Sequence, residues 1–301
     1  MKHVKLFGQK TLLLVVMFSI LFLNVYAGDK KEVDKTFKPK ELVKIKIVSG
    51  DCIIKAGSAS EIKVHMSYTY SPDKFQPVFE EEGNTLILKE DFQKGEHTGG
   101  ESKWDVTVPA NTKIEFAAAS GDLEVSGVKA GVEAKVASGD ITADNLGGGI
   151  NVKSASGDIT ITDSTGDIKM DTASGDAKLT KVSGSFNIKT ASGEIEADGI
   201  ECKSESNFTV VSGDLTMKLA KSSDVNMNLA TVSGDITLDY NGNPVKGYFT
   251  FKGQKDNISS DIPFDGSDES KHNPFATKYF KKGESPQINL KTVSGDIKFK
   301  K

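Results

Sequence analysis

Arginine is missing from this chain, whose 38 basic residues are all lysine. Arginine supplies the planar fork that grips phosphates and base edges, so nucleic-acid recognition loses its usual instrument. Cysteine is nearly missing as well. Cys52 and Cys202 stand 150 positions apart, so a disulfide framework is excluded, and both read as small core-facing residues. Tryptophan occurs once. Long apolar runs are lacking outside the N-terminus, which argues against a spanning helix in the remainder.

That N-terminus has three parts: the basic MKHVKLFGQK, the apolar TLLLVVMFSILFLNV, and the small-residue site Val25-Tyr26-Ala27 before Gly28. Residues 1–27 therefore read as a signal peptide cleaved near Ala27, and the mature chain as secreted, periplasmic or held at the cell surface. Its loss removes three lysines and no acids. The formal charge of −4 becomes about −7, with 35 lysines against 42 acids, again unlike a nucleic-acid binder.

What the chain has in quantity is glycine, 29 residues, set in a repeat. Ser120, Ser138, Ser156, Ser174 and Ser192 each open Ser-Gly-Asp or Ser-Gly-Glu, eighteen residues apart. Further corners follow at Ser212, Ser233 and Ser294, at spacings of twenty, twenty-one and sixty-one, and an early one sits at Ser49. A fixed period of this size marks a solenoid, in which one turn cannot bury its own apolar face and must be stacked on others. After each corner acid come Leu123, Ile141, Ile159, Ala177, Ile195, Leu215, Ile236 and Ile297, followed two places on by a second apolar set. Glu124, Thr142, Thr160 and Lys178 stand between them. Period-two alternation puts the apolar sets inside and the others outside. On the other leg of each turn, the one leading to the corner, Val132, Ile150, Ile168 and Phe186 read as inward. The fold class is all-β, a single-stranded parallel β-helix of about 18–21 residues per turn.

The corner acids Asp122, Asp140, Asp158, Asp176, Glu194, Asp214, Asp235 and Asp296 form a ladder of like charges. At ~4.8 Å in water they repel by about 0.9 kcal/mol, a cost that a local backbone hydrogen bond offsets. Calcium nonapeptide solenoids need paired glycines ahead of a spaced aspartate. Here the acid follows its glycine directly, so the acids read as turn caps and no residue is assigned to metal. The organisation expected is a leader over 1–27, an N-terminal β region over 28–118, regular turns over 119–239, and interrupted turns with a cap over 240–301. In the last segment Tyr248, Phe249, Phe251, Phe264, Phe275, Tyr279 and Phe280 read as packing over the column, with Ser260-Asp261 near a distorted corner.

The leader, VSGDCIIKAG, WDVTVPANTKIEF, the SGDI turns and the closing QINLKTVSGDIKF together resemble a large group of exported bacterial proteins described as adhesins, without an established activity. They are also similar to the head domains of autotransporter-like adhesins. The resemblance covers essentially the whole mature chain and implies a right-handed β-helix at the cell envelope. It implies no cofactor and no catalytic residue. Three functions stay open: a non-enzymatic envelope scaffold or adhesin-like protein binding a cell-surface polymer or envelope protein, a calcium-dependent module, and a β-helix enzyme acting on acidic polysaccharide. His65, His97 and His272 fall outside the regular turns, and no position breaks the repeat with an acid-base set. The non-enzymatic reading is therefore favoured. The pattern leaves the oligomeric state unassigned.

Overall fold

The computed structural model describes residues 30–93, 99–269 and 273–301. The leader expected over 1–27 lies outside them, as do His97 and His272. The regular elements described are twenty-seven strands and one 3-10 turn at Lys255–Asn257.

Each regular turn contributes two strands. A first leg such as Val132–Ser138 or Ile150–Ser156 ends at a corner serine, and a second leg such as Ile141–Asp144 or Ile159–Thr162 begins after the corner acid. First legs pair in parallel with first legs, Val132 beside Ile150 and Ser138 beside Ser156. Second legs pair likewise, Ile141 beside Ile159. The two ladders join through Ile195–Cys202, which pairs with Leu215–Leu219 in one and with Ser183–Ser192 in the other. The expected columns are the core: Leu123, Ile141, Ile159, Ala177, Ile195, Leu215, Ile236 and Ile297 are each at most 1% exposed. Each large aliphatic side chain so buried contributes roughly 1.5–3 kcal/mol. A third buried column, Val128, Leu146, Val182 and Ile200, closes the side between the legs.

The two long corner spacings have a common cause. Ser49 stacks on Ser120, and Ser233 on Ser294, so one column of corners runs unbroken while the chain makes an excursion at each end. In the N-terminal excursion Thr85–Phe92 and Ser102–Pro109 form a turn outside Leu42–Ser49 and Asp51–Gly57, and the chain then crosses to their inner side. At the C-terminus Gly247–Gln254 and Ile258–Ser260 are laid down as the outermost turn, and Gln287–Lys291 and Ile297–Lys300 slot in beneath them.

A wholly parallel sheet is therefore not what forms. Antiparallel strands cover both ends: Phe75–Glu82 on Thr85–Phe92, Ile62–Tyr68 on Ser102–Pro109 with Lys31–Phe37 beyond, and Phe275–Lys282 on Gly247–Gln254 with Gly266–Glu269 beyond. A parallel stack leaves a row of unpaired backbone groups at each end, and a hairpin is the shortest way to pair them. Of the C-terminal aromatics expected to pack over the column, Phe249, Phe251 and Phe280 are fully buried together with Tyr240 and Phe299, Phe249 and Phe280 stacking at 4.5 Å, whereas Tyr248, Phe264 and Tyr279 are half-buried and Phe275 is exposed. The distorted corner lies at Lys255–Asn257, however, and Ser260-Asp261 ends the second leg.

Candidate interaction face

The corner is where neighbouring turns come closest. Gly157 has φ +124°, and a Cβ there would lie 2.1 Å from the Gly139 carbonyl oxygen. Only glycine satisfies both conditions. Backbone bonds run on either side, from Gly139 N–H to Ser156 O at 3.1 Å and from Ile141 N–H to Asp158 O at 2.9 Å.

The acids do cap, but not within their own turn as the sequence suggested. Asp140 Oδ1 accepts the N–H of Asp158, the corner acid of the next turn, at 2.8 Å. The same bond recurs from Asp51 to Asp122, Asp122 to Asp140, Asp158 to Asp176, Asp176 to Glu194, Asp214 to Asp235, and Asp235 to Asp296. The glycine turn leaves this N–H without a ladder partner, and a one-carbon side chain reaches it along the stacking axis. Among the described residues the step from Glu194 to Asp214 carries no such bond. Glu194 is the one corner acid with an extra methylene.

Other chemistry-bearing groups are dispersed. Among the described residues no three His, Cys, Asp or Glu side chains gather as a metal set. His65 pairs with Asp34 at 2.8 Å on the surface. Glu201 is held below the usual carboxylate range by hydrogen bonds from Lys203 and Lys221. Both cysteines are free thiols; burial pushes Cys52 up and Cys202 up to about 11. The sequence did not single out Glu90, which is 9% exposed and takes four donors: the Val48 and Ser49 N–H groups on Oε2, and the Ser102 hydroxyl and Trp104 Nε1 on Oε1.

The outer face of the first-leg ladder carries an ordered pattern. Parallel register stacks Lys46, Ala117, Lys135, Lys153, Asp171 and Lys189 in one column. Two residues further on, a second exposed column reads Ala119, Ala137, Ala155, Ala173, Ala191, then Val211, Val232 and Val293. The three valines are 48%, 48% and 44% exposed; Phe275, 39% exposed, shares a hollow with Val293. The short alanines leave a groove of about 990 Å³ between Lys46 and Val211. Lys135 pairs with Glu133 at 2.7 Å, whereas Lys46, Lys153 and Lys189 enter no ion pair among the described residues. This apolar column was legible, because every regular corner serine is preceded by Ala or Val.

Residues 41–258 match the family model described as Toastrack DUF4097. This chain belongs to the Toastrack DUF4097 family. The Toastrack match spans the ladders from the strand at Leu42 to the start of the strand at Ile258. Solved structures are similar to this chain, among them the following three. A candidate adhesin of Bacteroides fragilis is 17% identical, with 91% of this chain and 98% of that chain covered and a TM-score of 0.38. A candidate adhesin of Parabacteroides distasonis is 12% identical, with 90% and 98% covered and a TM-score of 0.48. A candidate lipid-binding protein of the same species is 13% identical, with 91% and 98% covered and a TM-score of 0.43. No curated protein matches the sequence.

Proposed function

We propose that this Toastrack protein is a non-enzymatic scaffold of the bacterial cell envelope, exported by a leader cleaved at Ala27 and wound as a right-handed solenoid, presenting a repeated face to a surface polymer or envelope protein. The observation that carries this reading is the use of the corner acids. They are the most regular carboxylates in the chain, and a catalytic or calcium-binding role would fall to them first. Seven of the eight steps between them are backbone bonds from one turn to the next. Catalytic groups are local departures from a pattern, whereas these are the pattern.

Export has its own support in the leader, and among the described residues no helix is long and apolar enough to cross a membrane. Mass spectrometry of the protein recovered from a bacterial host should find mature chains beginning at Gly28. For the scaffold, purified mature protein is incubated with acidic cell-surface polysaccharide, and co-sedimentation and release of reducing ends are both measured. Retention without new ends is expected. Accumulating ends would replace the scaffold with a polysaccharide-cleaving enzyme.

A further inference from the structure

We infer that the outer face of the first-leg ladder is a self-recognition surface, on which a second copy of this chain docks side by side, parallel and in register. Large apolar side chains exposed in a line mark a surface meant to be covered. Val211, Val232 and Val293 are such a line, and the alanines extend it toward the N-terminus.

What covers the line follows from its flanks. On one side, two residues before the apolar column, stand Lys135, Lys153 and Lys189; on the other, three residues after it, stand Asp140, Asp158 and Glu194. The face is thus three parallel stripes at the turn spacing of ~4.8 Å: the apolar column, an acid at every level on one side, and on the other lysine at four of the eight levels, Lys135, Lys153, Lys189 and Lys291. A strongly acidic partner would meet the acid stripe, and a strongly basic one the lysines. The partner that fits has the same three stripes in reversed order and the same repeat. A two-fold axis parallel to the column generates it from a second copy: each turn stays level, left and right exchange, lysine meets acid, and the apolar column meets itself. A two-fold across the column would set lysine against lysine. Of the eight levels, four set lysine against acid, Ala117, Thr209 and Ala230 place no charge opposite the acid, and Asp171 faces Asp176. The corner caps engage Oδ1 alone. Small alanines let two sheets approach closely, as flat small-residue faces do.

The area sets the strength. Eight levels at ~4.8 Å and a width of roughly 15 Å give about 500 Å² per copy, or on the order of 1,000 Å² in all. That is below the ~1,200–2,000 Å² of stable complexes, so the dimer should be weak and salt-sensitive.

The test uses the mature chain. Sedimentation velocity over a concentration series at low salt should show a monomer–dimer equilibrium. Val232→Asp should raise the dissociation constant by about tenfold or more with an unchanged melting temperature; Ala155→Asp serves if the first variant misfolds. Orientation is read by two cysteine variants, Ala155→Cys and Val232→Cys. A two-fold along the column places each residue opposite itself at every level, so both should cross-link to their own kind under mild oxidation, while the parent chain, whose Cys52 is buried and whose half-buried Cys202 lies outside the apolar column, should not. A chain that stays monomeric at all concentrations overturns the proposal and leaves the face to another partner. So does a dimer indifferent to Val232→Asp, or cross-linking at one position only, which marks antiparallel docking.

Discussion

Replacing Asp158 separates a structural acid from a binding one. Its Oδ1 accepts the Asp176 N–H at 2.8 Å, and its own N–H reaches Asp140 Oδ1 at 2.8 Å. Asp158→Ala removes one charge-assisted bond, which contributes about 1 kcal/mol. It also removes repulsion from two like charges one turn away, each about 0.9 kcal/mol in water and roughly half that where salt sets a Debye length of ~8 Å. The two effects nearly cancel, so alanine alone decides little. Asp158→Asn keeps an oxygen acceptor, sheds the same repulsion, and should stabilise by roughly 0.5 kcal/mol. The useful quantity is the difference between the variants, in which charge relief drops out and the cap remains. It should be about 0.5 kcal/mol, or ~1–2 °C in melting temperature for a chain of this size. The assay is thermal melting by circular dichroism, at low and high salt, with and without calcium after chelation. Equal melts for Asn and Ala would refute the cap. A large calcium-dependent rise in wild type that Asn abolishes would show an ion site, through the linkage RT ln(1 + [L]/Kd).

Glu194→Asp should restore the missing step to Asp214 and raise stability by roughly 0.5–1 kcal/mol, measured by the same melts. Gly157→Ala should cost more than about 3 kcal/mol or prevent folding, because its Cβ would lie 2.1 Å from the Gly139 oxygen at a φ of +124°; an unchanged melt would mean the turns are not in that contact. Ile159→Asp should cost several kcal/mol and Thr160→Asp under about 1, and equal losses would invert the inside and outside of the turn. Cys202, raised to about 11, stays a thiol at neutral pH. Its alkylation should therefore be far slower than that of an open cysteine and should accelerate as pH rises toward 11. Because the folded pKa lies above the unfolded one, any stability this thiol contributes is intact below the ordinary thiol pKa and is lost as pH rises through the folded value.

Much of the middle of the molecule was legible because one residue type recurs at one place in each turn. Ile141, Ile159 and Ile195 share a register, and stacking follows from the period alone. The cap was half legible. The sequence showed that the acid follows glycine, but whether it reaches its own turn or the next depends on side-chain direction, which a repeat does not encode. The exposed Ala and Val column is present in the pattern, one residue before each corner serine, but an apolar residue beside a corner carries no sign of which face it takes. The ends were least legible. A gap of sixty-one between Ser233 and Ser294 says only that the period is interrupted, and a chain that lays down its outermost turn before the one beneath it has the same spacing as one that loops away and returns.

Glu90 shows why an end must depart from the repeat. In the interior, the backbone groups around each corner meet those of the next turn, as Gly139 N–H meets Ser156 O. The outermost N-terminal turn has no Ser-Gly-Asp corner: its first-leg strand Thr85–Phe92 leads away to Ser102 instead of bending at a glycine. Glu90 stands one residue beyond the paired Lys46 and Lys89, and its carboxylate takes the Val48 and Ser49 N–H groups that would otherwise be orphaned. The other oxygen accepts the Trp104 indole N–H and lies beside the Ser102 hydroxyl, whose single proton is also within reach of the Ser49 carbonyl oxygen at 3.0 Å. Each oxygen therefore accepts at least one N–H, which the single oxygen of a glutamine amide cannot do at both places. Glu90→Gln turns one oxygen into an NH₂ group facing donors, leaves at least one buried group unsatisfied, and should cost roughly 2–3 kcal/mol despite its near-identical shape. Glu90→Ala should cost at least as much. A glutamine variant that melts like wild type would show that the site holds a neutral carboxyl, donating one of these bonds itself, in place of the ion that replaces the missing corner.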